Sequence, residues 1–522
     1  MNLQVILQHA CRLWRDRVGL IDGPSELTYG ELFDLARHAA AAVVQISGRD
    51  APRVAAFLGN RWEYAVMEMA CALGGGTLVR MNARDGAREV AYVLQDSAAD
   101  CFIYGADLAP VAEAALSQLE GPRPRSVELP GAASAERRAA FEQLFCRAGS
   151  SDLPSLDPTT AFKIMYTSGT TGTPKGVIVT HDQWCTAVLQ NLFLGPLADV
   201  RPDDCFLHVT PLTHVSGGLF WAFMTRGARQ VICPDTSVEA IVGAVARYQV
   251  TRTFLVPTLV SKIVSATPAQ QTILRALQRV YYAASPIAVV VLRRAVELYG
   301  PIFAQGYGST EAMWWLTYFY PEEHAAALRE NNIERLASCG RPGMGIELRI
   351  VDEQGRTVAP GQIGEVATRG RHVAKSYLNR GPVPTDGRIG ESWFRLGDIG
   401  YADADGFFYL VDRKNNLMIT GGFNVYPSEV ESVLRHCPGI GDCCVLGAPD
   451  DHWGEVIVAV VVRAAGATLS EEDVIAFGRS EMPDYKRPRR VIFIDELPLN
   501  AGGKVDRRAL RESMWGNQTR RI

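Results

Sequence analysis

The run Tyr166-Thr-Ser-Gly-Thr-Thr-Gly-Thr-Pro-Lys-Gly176 constrains this chain more than any other. Its eleven positions hold three glycines and five serines or threonines. Such a run wraps backbone N–H groups and hydroxyls around an oxyanion, because glycine adopts the turns that close approach requires. Phe162, Ile164 and Tyr166 alternate before it, and Val177, Ile178 and Val179 follow it, so the loop should join two buried strands. The spacing G-x-x-x-x-G-K-[ST] is absent and no helix signal follows, which sets it apart from a strand–loop–helix nucleotide loop. A flexible Ser/Gly linker is the competing interpretation, and apolar strands on both sides weigh against it. The expectation is a strand–loop–strand phosphate cradle built from Thr167, Ser168, Gly169, Thr170, Thr171 and Gly172, with Lys175 adding positive charge.

Around this loop the chain alternates helix and strand patterns. Thr28 and Glu31 form a T-x-x-E capping box, after which Leu32, Leu35, Ala36, Ala39 and Val43 recur at helical spacing. Val54 to Leu58 reads as a short buried strand and Trp62 to Leu73 as a helix, so a largely parallel, helix-covered sheet follows. Residues 121 to 138 turn to Pro, Arg, Ala and Glu with little periodicity, and an exposed, dispensable connection is expected there. From about residue 335 short strands broken by Gly and Pro take over, at Glu347–Asp352, Gly364–Arg369 and Phe407–Val411. Past Asp412 a compact α+β tail is expected, with Ser428 and Glu431 capping a helix and strands at Cys444–Gly447 and Val456–Arg463.

Composition excludes several classes. At 522 residues there is chain for three or four structural units. A net charge of −4 leaves no basic excess for nucleic acid. The eleven cysteines lack CxxC spacing, so neither a disulfide scaffold nor a zinc site is expected. Residues 1 to 12 lack a signal-peptide pattern, and the strongest apolar run, Val456 to Val462, stops at Arg463. A cytoplasmic protein without a membrane span is the expectation.

The phosphate loop closely resembles that of the adenylate-forming superfamily of acyl- and aryl-CoA synthetases, peptide-synthetase adenylation domains and luciferases. The resemblance extends along nearly the whole chain. Pro211-Leu-Thr-His-Val215 looks like the family's acyl-site motif, and Gln305-Gly-Tyr-Gly-Ser-Thr-Glu311 like its adenine and magnesium motif. Gly340-Arg-Pro-Gly343, Gly397-Asp398, Asp412-Arg413, Gly421-Gly-Phe-Asn-Val-Tyr-Pro427 and Gly503-Lys504 follow in order. Each is weak alone; the ordered set is specific. The resemblance implies a large N-terminal portion, residues 1–412, with two helix-covered α/β sheets and a small β-barrel. A mobile α+β C-terminal lid, residues 413–522, would complete the fold.

The resemblance also assigns roles. ATP and Mg²⁺ would be used to make an acyl-AMP, and coenzyme A would accept the acyl group. Glu311 would hold the magnesium, Thr310 would contact the α-phosphate or acyl group, Lys504 would bridge carboxylate and phosphate, and His214 would complete the catalytic set. Gly306, Tyr307, Gly308 and Ser309 would frame the adenine, while Asp398 and Arg413 would bind the ribose. His214, Val215, Gly217, Trp221, Ala284, Ser285, Gly306, Met313 and Trp314 would line the acyl pocket. Asn415 would be the hinge, and Gly421 and Gly422 would leave room for the thiol arm of CoA. Amino-acid-activating relatives carry an aspartate where this chain has Val215, so an apolar, bulky or aromatic acid without an ammonium is expected.

Two departures from the family pattern bear on this. Asn415 stands where the family usually has Asp or Lys, and Tyr282-Ala-Ala-Ser-Pro286 replaces a Gly-containing pattern at the pocket floor. Three activities remain open at this level: an acid–CoA ligase, an acyl-AMP synthetase serving a carrier protein or acyltransferase, and an idle binding relative. A luciferase-like oxygenase shares the scaffold, and a homodimer is left open.

Overall fold

A computed structural model describes residues 1–133, 136–147, 153–167, 174–384, 393–420, 423–450, 453–499 and 505–515. They form two compact units. The first comprises 1–348, 368–394 and 406–408; the second comprises 349–367, 395–405 and 409–522. No helix among the described residues is long and apolar enough to cross a membrane.

The βα alternation gives two large sheets in the first unit. In the eight-stranded sheet, Ala161–Thr167, Thr77–Arg80, Arg53–Phe57, Cys101–Gly105 and Arg125–Leu129 run parallel in that order. All five residues of Cys101–Gly105 are buried, as expected of a parallel strand covered on both faces. The nine-stranded sheet has Phe303–Gly308, Arg279–Tyr282, Arg252–Leu255, Cys205–His208, Arg229–Ile232 and Val18–Asp22 as its parallel core. Its N-terminal strand therefore joins a strand 210 residues further on, with Leu20 opposite Gln230.

The helix starts follow the side-chain chemistry. Thr28 Oγ1 accepts from the Glu31 N–H at 3.1 Å, and Glu31 Oε2 accepts from the Thr28 N–H at 2.8 Å, opening the helix Tyr29–Ser47. Thr180 and Gln183 form the same box at the start of His181–Leu194, the helix that leaves the phosphate hairpin.

Three expectations are corrected. Residues 121–138 are not a dispensable connection. Arg125–Leu129 is the edge strand of a sheet, and Arg137, with 5% of its side chain exposed, bonds Glu63 Oε2 and Asp22 Oδ2, each at 2.5 Å. Arg61 holds the same Glu63 at 2.6 Å. Secondly, the β-rich stretch forms an open sheet, Glu347–Val351, Gly364–Arg369, Phe394–Ala402 and Phe408–Arg413, rather than a barrel among the described residues. Four short strands span too little arc for the first to meet the last. Thirdly, Ser428 does not cap its helix. Pro427 takes the first helical position, Tyr426 precedes it, and Glu431 turns inward to accept from the Val445 N–H at 2.7 Å.

The second unit contains a five-stranded sheet built on the antiparallel pair Ile440–Asp450 and Gly454–Arg463, with Arg490–Phe493 parallel to the latter. Strand alternation sends Cys443 and Val445 into one core with Val430, Leu434 and Val474, and Cys444 and Leu446 into another with Leu497. The adjacent cysteines thus face opposite ways, and burial pushes both thiols up to about 12. All eleven cysteines are free thiols.

Candidate active site

The phosphate hairpin lies in the first unit. Ala161–Thr167 and Lys175–Thr180 are antiparallel, with Thr167 opposite Lys175 and Tyr166 opposite Gly176, so the strand–loop–strand expectation is met in its arms. Ser168, Gly169, Thr170, Thr171 and Gly172 lie outside the described residues. The adjacent parallel strand ends at Arg80, so the hairpin opens at the carboxyl ends of the parallel strands, where crevices of open α/β sheets bind ligands.

Glu311 is brought to this hairpin by a residue the sequence gave no reason to single out. Tyr377 pairs with Val177 on the hairpin's second strand, and its hydroxyl donates to Glu311 Oε1 at 3.2 Å. The Ala374 N–H donates to the Glu311 carbonyl at 2.7 Å, and Lys175 Nζ lies 5.6 Å from the Tyr377 ring centroid. Burial and the neighbouring Glu311 charge push the Tyr377 hydroxyl above its ordinary range. One short strand thereby fixes the Lys175 side of the loop and the Glu311 carboxylate together. Its signal was hidden because Tyr377 is some two hundred residues from the hairpin in sequence and belongs to a two-residue strand.

The other residues of that motif lie along the strand Phe303–Gly308 and in the turn that joins it to its antiparallel partner, Trp315–Phe319. Tyr307 is buried within the first strand, Ser309 Oγ accepts from the Ala312 N–H at 3.2 Å, and the Thr310 carbonyl accepts from the Met313 N–H at 3.1 Å. Gly306 is required because any Cβ there would overlap the Trp315 indole.

The acyl-side residues converge on the helix Val215–Thr225, which His214 precedes. Asn82 Nδ2 lies 3.1 Å from His214 Nε2, a ring orientation the sequence could not give. Val215 is half-buried, and Gly217 and Gly218 occupy the first turn of the helix. A Cβ on Gly218 would sit 2.9 Å from the Trp314 ring, so that indole rests directly on the helix backbone. Trp314 also packs on Trp184 at 5.9 Å, a tryptophan missed in the sequence. Trp221 is fully buried, and its Nε1 donates to Glu68 Oε1 at 2.8 Å. The same oxygen takes a 2.7 Å bond from Lys163 Nζ, which lies 3.4 Å from the Trp184 ring centroid. Burial lowers the Lys163 ammonium to about 8 despite this pairing. Ala284 and Met313 both have left-handed backbones, with φ of 79° and 67°. A residue with a Cβ there costs about 1–2 kcal/mol, and such strain gathers at ligand sites. Ser285 follows Ala284 and is half-buried.

The second unit holds the ribose candidates. Asp398, 5% exposed, accepts from Arg413 Nε at 2.6 Å, while the Arg413 side chain is 56% exposed. Asp412 organises the turn that follows, accepting from the Asn416 Nδ2 at 2.8 Å and from the Ser428 N–H at 3.0 Å. Asn415 is exposed within the single 3₁₀ turn Lys414–Asn416. Gly421, Gly422 and Lys504 lie outside the described residues.

Comparison with known proteins gives the family. Residues 7–378 match the AMP-binding enzyme family, and residues 429–504 match the AMP-binding enzyme C-terminal domain. A medium/long-chain-fatty-acid–CoA ligase of Mycobacterium tuberculosis is 34% identical over 374 residues, 70% of this chain and 64% of that one, so the chain spans under two thirds of that relative. A feruloyl-CoA synthase of an Amycolatopsis species is 32% identical over 489 residues, covering 92% of this chain and 93% of that one. The o-succinylbenzoate CoA synthetase of Bacillus subtilis, solved with its acyl-adenylate intermediate, superposes with a TM-score of 0.82 at 26% identity, over 97% of each chain. The chain belongs to the adenylate-forming family of AMP-binding enzymes.

Proposed function

We propose that this protein is an AMP-forming carboxylic acid–CoA ligase acting on an apolar, bulky or aromatic acid. The observation that carries the reading is the Tyr377 strand, which holds Glu311 against the Ser/Thr/Gly hairpin. That arrangement suits a carboxylate attacking a phosphate, where anion meets polyanion and the site supplies positioning and opposing charge. A carboxylate oxygen of the acid attacks the α-phosphorus of ATP, the bond to the β-phosphate bridge breaks, and pyrophosphate leaves. The CoA sulfur then attacks the acyl carbon, and AMP departs with the electrons of the carbon–oxygen bond.

Glu311 fits magnesium chemistry, being a hard oxygen donor beside a phosphate loop; bound Mg²⁺ would offset charge on the phosphate oxygens. The hairpin N–H groups and hydroxyls, with Lys175, would hold the phosphates. Asp398 and Arg413 would take the ribose hydroxyls and Tyr307 the adenine. Lys504, by the family resemblance, would neutralise charge developing at the α-phosphate. Functionally we place the division at 412/413, with the C-terminal part as a lid and Asn415 as its pivot, since Asn tolerates left-handed backbone better than most residues.

Two experiments bear on this reading. Lys504→Ala should lose at least a hundredfold in acid-dependent pyrophosphate release while ATP affinity stays within about threefold; near-normal release would remove Lys504 from the chemistry. Phenylalanine should be turned over far more slowly than 3-phenylpropanoate, because Val215 offers an ammonium no partner. Equal rates would refute the substrate class.

A further inference from the structure

Arg80 is a charged group of this region to which the proposed function gives no role. It ends the strand Thr77–Arg80, directly opposite Met165 on the strand that feeds the phosphate loop. Among the described residues its guanidinium makes one hydrogen bond, from Nη1 to the Met165 sulfur at 3.3 Å, and no carboxylate lies within ion-pair distance. A thioether is a weak acceptor, whereas a guanidinium presents five donors in a fork shaped for an oxyanion. By contrast Lys163, on the neighbouring strand, is paired with Glu68, and Arg137 with Glu63 and Asp22.

Strand alternation sets the direction of Arg80. Leu78 and Arg80 share one face with Lys163 and Met165, opposite the face on which Val79 joins the core of Phe57 and Phe102. That first face carries the Lys163–Glu68–Trp221 chain beneath the acyl helix, and Glu68 Oε2 lies 3.7 Å from where a Cβ of Gly217 would be. Two residues past Arg80, Asn82 reaches His214. The neighbourhood holds further donors without acceptors. The Tyr64 hydroxyl is fully buried and unpartnered, and the indole N–H groups of Trp184 and Trp314 are buried without partners. Burial lowers the affinity of Arg80 for its proton, and Tyr64, Glu68 and Asp85 are close enough to act on its charge in the opposite sense, though neither carboxylate pairs with it. A buried donor left unpaired loses its hydration without compensation, so a region with several is unfavourable until an acceptor arrives.

We infer that Arg80 recognises a second oxyanion on the acid, with the unpartnered Tyr64 hydroxyl as a further donor: the substrate is a dicarboxylic acid, activated at one carboxylate and held by the other. This rests on the ligase reading and narrows its substrate class to bulky or aromatic acids with a distal carboxylate. A monoacid would leave Arg80 facing a thioether; a second carboxylate would give it a bidentate, charge-assisted partner.

The test uses the full-length protein and a matched pair, 3-(4-carboxyphenyl)propanoate and 3-phenylpropanoate. Both kcat/KM for pyrophosphate release and direct binding by calorimetry are measured. The wild type should favour the diacid at least tenfold, mostly through KM. In Arg80→Met the diacid-to-monoacid ratio should fall to near one, Arg80→Lys should keep part of the preference, and Tyr64→Phe should lower it several-fold. A wild type that prefers the monoacid, or a ratio unchanged in Arg80→Met, overturns the assignment. So does an equal rise in the KM for ATP with both acids, which would make Arg80 a phosphate ligand. Absence of turnover with any acid would contradict the ligase reading alone; calorimetry then decides Arg80, since diacid binding lost in Arg80→Met supports it and no diacid binding by the wild type overturns it.

Discussion

The pairs Glu68–Lys163 and Asp398–Arg413 look alike on paper, each a carboxylate and a cation within 2.7 Å, yet they sit in opposite circumstances. Both members of the first are sealed in the first unit, under Trp184 and Trp221, with only 3% of each side chain exposed. In the second, Asp398 is buried but Arg413 is open to solvent. A sealed pair has no exchange partner, so its charges serve packing and its loss leaves a buried ion. A pair with one exposed member can trade a hydrogen bond for a ligand hydroxyl at little cost. The difference separates charges that hold the site from charges that can bind something.

The largest effect expected from this contrast is on the sealed side. Glu68→Ala should lower stability by about 3–5 kcal/mol, the usual loss when one partner of a buried pair is removed. Urea unfolding of the full-length protein measures it. A loss under 1 kcal/mol would mean that Lys163 finds water or another partner and that the pair is not sealed.

Asp398→Ala should behave in the opposite way. Its stability cost should stay near 1 kcal/mol, because exposed Arg413 is simply returned to water, while the KM for ATP rises at least tenfold. If this variant unfolds as readily as Glu68→Ala and binds ATP normally, the distinction between the two pairs collapses.

A smaller effect concerns acid. Burial lowers His181, His208, His324 and His372, all in the first unit, to about 4, below the 6.5 of an exposed imidazole. The unfolded chain therefore takes up these protons first, and the stability they contribute, fully present above pH 6.5, is lost as pH falls toward 4. In the second unit the described histidine, His436, is exposed. Hydrogen exchange at pH 4.5 should quicken in the first unit before the second; the reverse order would contradict this.

The same contrast explains what could be read in advance. The hairpin was legible because Phe162, Ile164 and Tyr166 alternate, and a period of two needs no tertiary information. The ordered motifs placed Glu311, Asp398 and Arg413, but not the Arg413–Asp398 contact or the Glu311–Tyr377 bond. Tyr377 and Trp184 carry no local signal, since strand pairing and aromatic packing across the fold recruit them. Arg137 was misjudged because an arginine in a polar run reads as exposed, and only folding brings Asp22 and Glu63 to it. Ser428 failed as a cap because Pro427 already supplies the helix's first φ.

The central claim is that this chain joins an acid to AMP and then to CoA. It is tested most directly by incubating the wild type with ATP, Mg²⁺, an acid and CoA, and following pyrophosphate, AMP and the thioester by mass in one reaction. The account predicts pyrophosphate release that requires the acid, and a thioester formed in equal amount with AMP. Pyrophosphate and acyl-AMP without any thioester, even when purified acyl-AMP and CoA are supplied, would contradict it and leave an enzyme that stops at the adenylate.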